Sequence, residues 1–167
     1  APMKAVAADS LPPGEGWVFE PKWDGYRAIV TVSGGDVTFT SRNGNDLTER
    51  FRDVARATAL AVTSPNAVLD GEICALDDEG RSRFSLLQEG RGIPVLVLFD
   101  VLELDSEPLV DLPLSERRKL LEEVVGTSGG VLVSPQFDDG PALLQAAREQ
   151  GLEGVVAKRA DSPYRVG

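Results

Sequence analysis

In the stretch FEPKWDGYRAIV, residues 19–30, Lys22 stands between a proline and a tryptophan, just before Asp-Gly and Arg27. Lysine occurs at only four positions, Lys4, Lys22, Lys119 and Lys158, and arginine supplies the rest of the 17 basic residues. An arginine cannot give up its proton at working pH, whereas a lysine amine can, and then acts as a nucleophile. Asp24-Gly25 reads as a turn dipeptide, so the chain is expected to bend right after Lys22 and Trp23. At such a strand end a lysine can point into a groove where desolvation and neighbouring cations free the amine. A surface lysine beside an ordinary hairpin would carry the same hexapeptide, so on its own the stretch leaves both readings open.

Acidic residues set among apolar ones add to the pattern. VLDGEI puts Asp70 and Glu72 two apart on one face of a strand, VLFDVL buries Asp100, and LEGVVAK places Glu153 and Lys158 around a valine pair. A carboxylate in such a run pairs with a cation, binds a metal or reaches water at a strand end. The chain has no histidine, which removes Ser-His-Asp and Cys-His catalysis and histidine-liganded zinc. Cys74, in GEICALD, reads as a buried strand thiol. Carboxylates, lysines and arginines converging without histidine suggest phosphoryl or nucleotidyl transfer. The acids would hold Mg²⁺ and the cations would cradle phosphate oxygens.

The elements that must position these groups follow from periodicity. WVFEPKW and YRAIVTV read as strands, SGGD as a turn and VTFTSRN as the returning strand. DLTERFRDVARATAL is the clearest helix, with Asp46 and Glu49 spaced as a capping pair and Phe51, Val54, Ala55 and Thr58 on one face. NAVLDGEICAL is a strand, FSLLQ a short segment of helical character, and IPVLVLFDVLEL a buried central strand. SERRKLLEEVV is a helix with Ser115 as its expected N-cap and Gly126 past its end. GPALLQAAREQG is another, with Pro141 in its first turn and Gly151 closing it. GVVAKRA returns to a strand. Hairpins mixed with helices favour an α+β domain with two mainly antiparallel sheets over a doubly wound parallel one.

With 167 residues, 42% hydrophobic and 26% charged, the chain reads as one soluble domain. A net charge of -10 argues against a free-standing nucleic-acid binder, because nonspecific affinity for DNA is largely phosphate neutralisation. Local basic sites remain possible, and a nucleic-acid enzyme built this way would need another domain. There is no membrane-length apolar run and no signal-peptide pattern, and the single cysteine fits a reducing cytoplasm.

Five motifs in order carry a family resemblance. KWDGYR, SRNG at residues 41–44, LDGEI, LFDVL and EGVVAK together resemble the covalent nucleotidyltransferases, the ATP-dependent DNA ligases and mRNA capping enzymes. EPKWDGYR, SRNG, RFSLLQ and EGVVAKRADSPYRVG look most like the ligase domains of bacterial end-joining ligase D and its stand-alone relatives. The resemblance implies that Lys22 attacks the α-phosphate of ATP, expels pyrophosphate and carries AMP until a DNA nick arrives. It implies Glu20 near the adenine amino group, Arg27 and Glu72 on the ribose, and Phe99 stacked on the base. Glu153, with Glu72 nearby, would position Mg²⁺ or Mn²⁺. Lys158 would neutralise the α-phosphate, and Arg42 would bind the 5′-phosphate of the nick. Trp23 and Tyr26 are left as packing residues, and Lys4 and Lys119 as surface ones.

The family pattern continues into a fifth motif with two more phosphate-binding lysines and then an OB-fold domain. Residues 1–167 are therefore expected to be an adenylation domain that is incomplete at its C-terminus and lacks the OB-fold, with weak or no nick sealing of its own. Nicked double-stranded DNA is the implied partner of the full enzyme, a monomer in the bacterial cytoplasm serving DNA repair. An RNA ligase, a GTP-using capping enzyme and a binding module that keeps the pocket without turnover are the alternative readings.

Overall fold

The computed structural model describes residues 1–126 and 128–166. Its elements run β1 (Trp17–Pro21), β2 (Gly25–Ser33), β3 (Asp36–Ser41), α1 (Arg52–Ala61), β4 (Asn66–Leu76), α2 (Phe84–Gln88), β5 (Ile93–Leu104), β6 (Glu107–Pro108), α3 (Leu114–Val124), β7 (Val131–Val133), α4 (Gly140–Glu149) and β8 (Val155–Arg159). The larger sheet has the order β3-β2-β4-β5-β6, and β7 pairs with β5 as its parallel member. β1 and β8, from opposite ends of the chain, form a separate antiparallel pair. The expected α+β class with two mainly antiparallel sheets is what the chain adopts.

Alternation along β2, β4 and β5 separates the two faces of the larger sheet. Val30, Phe39, Leu69, Ile73, Leu96, Leu98 and Val101 are fully buried on one face and join Phe51 and Val54 beside α1, Leu87 of α2 and Leu121 of α3. The other face carries a small apolar patch of Cys74, Val95 and Val97 under Trp23, and next to it the charged residues. Two register shifts interrupt the β4–β5 ladder. At one of them Asp70 opposes Asp100 while Gly71 opposes Leu98, so Phe99 is the extra residue of a bulge. A bulge lets neighbouring residues face the same side, and Phe99 and Asp100 accordingly both serve the charged face.

Asp100 is matched there by Arg117 of α3, which donates from Nε at 2.8 Å and Nη2 at 3.0 Å. The same guanidinium donates from Nη1 to the carbonyls of Leu112 and Ser162. Arg117 is 1% exposed and Asp100 6%, so this is a buried pair whose partners are all satisfied.

Three local expectations are revised. The helix expected from residue 46 begins at Arg52. The Leu47 N–H bonds to the Phe39 carbonyl, and Thr48 Oγ1 accepts from the Phe39 N–H, which holds this segment on the edge of β3 instead. Ser115 is inside α3 and caps nothing; the Leu114 and Ser115 N–H groups bond to the carbonyls of Ser162 and Ala160, so backbone replaces the side-chain cap. Gly25 opens β2 and is not at a turn apex. A Cβ there would lie 2.0 Å from the Ile73 carbonyl oxygen, so glycine serves the close approach of β2 to β4. By contrast α4 starts as expected, with Asp139 accepting from the Ala142 N–H and Pro141 in the first turn.

Removing Arg117 would strand a buried carboxylate. Arg117→Ala is expected to cost about 3–5 kcal/mol, and Arg117→Ala with Asp100→Ala less than the two single losses added together. Urea unfolding at neutral pH measures both.

Candidate active site

The small sheet presents one group of polar side chains. Pro21 pairs with Val155 at the end of the β1–β8 ladder, and the Lys22 N–H donates one step further to the Gly154 carbonyl at 2.9 Å. That backbone bond brings Lys22 beside Glu153, with Nζ 2.8 Å from Oε1 and both side chains roughly half exposed. Deeper in the ladder, Glu20 and Lys158 are diagonal neighbours on one face. Lys158 Nζ lies 2.8 Å from Glu20 Oε2, which also accepts from Gln136 Nε2 at 3.2 Å. Glu20 is 1% exposed; two donors make that burial tolerable.

The larger sheet supplies the facing group. Arg27 and Glu72 are cross-strand partners in β2 and β4. Arg27 donates to Asp70 from Nε at 2.7 Å and Nη2 at 2.6 Å, and Nη2 also reaches the Met3 carbonyl at 2.7 Å. Tyr164 donates its hydroxyl hydrogen to Asp70 Oδ2, and its oxygen accepts from the Met3 N–H. Phe99 joins the two sheets. Lys158 Nζ is 4.5 Å and Arg27 Cζ 5.0 Å from its ring centre, both within cation–π range. Trp23 fixes the chain after the nucleophile candidate by donating from Nε1 to Ser134 Oγ at 2.9 Å.

Glu72 accepts from the Gly25 N–H at 3.1 Å. Burial raises its carboxyl from 4.5 to about 7; the Gly25 N–H and Arg27 oppose the rise, and Asp70 and Glu153 add to it. Burial likewise pushes the Cys74 thiol up, as expected of an inert strand residue.

Lys22, Glu20, Arg27, Glu72, Phe99, Glu153 and Lys158 are therefore brought to one cleft between the sheets. Arg42 is not part of it. It lies exposed on the turn after β3, which Gly44 closes with a positive φ, and it makes no ion pair among the described residues. Arg27 differs from expectation in how it is used, since most of its donors are committed to Asp70 and Met3. Tyr164 and Gln136 were missed as members of the site, and Asp70 was singled out as an acid without being given a role there. Asp70 was visible as the acid two before Glu72; the other two gave no local signal. Gly167, which ends the last motif, lies outside the described residues.

Among the described residues no three metal-ligating side chains converge. Magnesium commonly takes one or two carboxylates together with substrate phosphates. Glu72 and Glu153, whose charge adds to the cost of ionising Glu72, fit that requirement. The cations, the flat ring and the buried acid fit a nucleotide.

The family model described as "ATP dependent DNA ligase domain" matches residues 2–167. The chain is 39% identical over 154 residues to the multifunctional non-homologous end joining protein LigD of Mycolicibacterium smegmatis, covering 90% of this chain and 20% of that protein. It is 40% identical over 173 residues to the LigD protein of Pseudomonas aeruginosa, covering 99% of this chain and again 20% of the relative. The chain thus spans about a fifth of these curated relatives. A solved structure of mycobacterial DNA ligase D complexed with ATP and MES superposes with a TM-score of 0.77 at 36% identity, over 90% of this chain and 50% of that one.

The raised Glu72 carboxyl has a stability consequence. In the unfolded chain the group loses its proton near 4.5, in the folded chain only near 7, so between those values the folded state holds the extra proton and stability falls as pH rises. Urea unfolding in the presence of a chelator should show the parent losing on the order of 1–2 kcal/mol more than Glu72→Gln between pH 5 and 7.5, screening by solvent having reduced the full shift.

Proposed function

The chain belongs to the ATP-dependent DNA ligase domain family, and on that premise we propose that it is an adenylation domain whose Lys22 becomes covalently linked to AMP. The observation that carries this reading is that Lys22 pairs with Glu153 at the end of the small sheet while Lys158, paired with Glu20 in that sheet, lies over Phe99 of the larger one, and that Glu72 feels the charge of Glu153.

Lys22 is positioned by its backbone bond to Gly154 and by Glu153, the nearest acceptor for the proton its ammonium must lose. The freed lone pair attacks the α-phosphorus of ATP, an N–P bond forms, the bond to the bridging oxygen breaks, and pyrophosphate leaves with that electron pair. Lys158 must part from Glu20 to reach the α-phosphate, where its charge offsets the negative charge that grows in the transition state. That exchange leaves Glu20 with Gln136 and an open acceptor for the adenine amino group, and uncovers Phe99 for the base. The free Nη1 of Arg27 and the Glu72 carboxyl face the ribose. Glu153 and Glu72 would hold Mg²⁺ or Mn²⁺, which when bound neutralises phosphate oxygens. Transfer of AMP to the 5′-phosphate of nicked DNA follows, with Arg42 holding that phosphate. The relatives named for non-homologous end joining point to bacterial double-strand break repair as the setting. Among the described residues no helix is long and apolar enough to cross a membrane.

Intact mass after incubation with ATP and Mg²⁺ should show one AMP on the parent and none on Lys22→Ala, with GTP giving no adduct. Lys158→Ala should slow labelling by about 10²–10³-fold, the cost of losing one transition-state donor. Arg42→Ala should label at the parental rate. ATP bound without a covalent adduct on the parent would sink the proposal.

A further inference from the structure

The loop between β4 and α2, residues 77–83, and the first residue of α2 bond to the two segments that carry Lys22 and Glu153, and nothing in the mechanism above uses these bonds. On one side Asp24, two residues past Lys22, donates its N–H to Ser82 Oγ at 3.1 Å, and its carboxylate accepts from the Phe84 N–H at 3.0 Å. On the other side two arginines reach the end of α4. Arg81 Nη1 donates to the Gln150 carbonyl at 3.1 Å and Arg83 Nη1 to the Gly151 carbonyl at 3.0 Å.

Those carbonyls belong to a helix end that needs donors. Gly151 is left-handed, with φ of 67°, and the Leu152 N–H turns back to the Ala147 carbonyl at 2.8 Å. The exposed carbonyls beyond carry the negative end of the helix dipole, which favours a cation. Two residues later comes Glu153. Both guanidinium groups are held in turn by Asp77 Oδ2, Arg81 Nε at 2.9 Å and Arg83 Nε at 3.5 Å. The Arg81 N–H leads the contacts that keep the Asp77 carboxyl at about 2, so it stays ionised at any working pH. The groove enclosed by this arrangement is lined by Pro21, Lys22, Trp23, Arg81, Gln150 and Leu152.

We propose that Arg81 and Arg83 are positioning residues that set Glu153 against Lys22, the loop acting as a spacer bonded to both segments. This rests on Lys22 being the adenylated residue, but the geometry it asserts can be read without nucleotide. With the arginines present, the segment 150–154 has one place relative to Lys22. Without them Glu153 is held only by backbone bonds, those of the β1–β8 ladder, of Lys22 to Gly154 and of Leu152 to α4.

A carbodiimide condenses an ammonium and a carboxylate in contact into an amide with loss of water, so peptide mass spectrometry reads the Lys22–Glu153 pair directly in the ligand-free chain. The Lys119–Glu116 pair on α3, 3.5 Å apart, is the internal control. Arg81→Ala/Arg83→Ala should lower the Lys22–Glu153 product about tenfold, as expected for losing two charge-assisted bonds, and leave the control product unchanged. In the nucleotide assay the same variant should slow lysyl-AMP formation by about 10²-fold, and add nothing in a Glu153→Gln background. An unchanged Lys22–Glu153 product, even with a lowered melting temperature, overturns the inference by making the arginines merely structural. Should the double variant lose its control product and so prove unfolded, Arg83→Ala alone decides by the same two readouts. A parent that forms no lysyl-AMP defeats the functional proposal, and the cross-link still decides this one.

Discussion

Asp70 and Asp100 sit directly opposite each other in the middle of the β4–β5 ladder, both buried. Like charges in that position repel, and in a buried setting the cost grows. The arrangement holds because each carboxylate has its own arginine, Arg27 from β2 for Asp70 and Arg117 from α3 for Asp100. Tyr164 lies between the two pairs, hydrogen-bonded to Asp70, with Arg117 5.9 Å from its ring centre. Through these contacts the lead-in at Met3, the α3 helix and the segment near Ser162 are all attached to the floor of the cleft. A structure that needs two buried acids face to face must recruit cations from several elements, and that recruitment assembles the site.

The charges of the cleft are arranged differently. Lys22–Glu153 is a half-exposed pair and Glu20–Lys158 joins a buried carboxylate to a partly exposed lysine, each between groups that the proposed chemistry needs apart. An ion pair as exposed as Lys22–Glu153 contributes little to stability, so exchanging its carboxylate for a substrate phosphate costs little, whereas parting Lys158 from the buried Glu20 leaves that acid with Gln136 alone. Arg27 and Arg117 are committed to fixed partners. Lys22 and Lys158 hold exchangeable ones. In the proposed chemistry these two lysines, unlike the two arginines, are the groups that have to move or lose a proton.

The strands and most helices were legible because their apolar spacing is local. β2, β3, β4 and β5 follow from alternation or from a continuous branched run, and α4 from Pro141 in its first turn and Gly151 at its end. The start of α1 was not legible. Asp46 and Glu49 have capping spacing, but Leu47 and Thr48 find better partners on β3, a competition that only the folded edge reveals. Ser115 failed for the same reason, since residues 160 and 162, far along the chain, supply acceptors for the helix N–H groups. Asp-Gly read as a turn, yet Gly25 is demanded by the closeness of β4.

By itself the sequence determined which residues could do chemistry. An isolated lysine, the acids at 72 and 153 and the order of five motifs are facts of residue type and spacing, and they need no register. Only the tertiary structure decided who pairs with whom. The opposition of Asp70 and Asp100, the bulge that turns Phe99 toward the cleft, the joining of β1 to β8 and the reach of Arg81 and Arg83 to the end of α4 all depend on strand register and long-range packing. A difference of one residue in register moves a side chain to the other face of a sheet, and no local pattern carries that information.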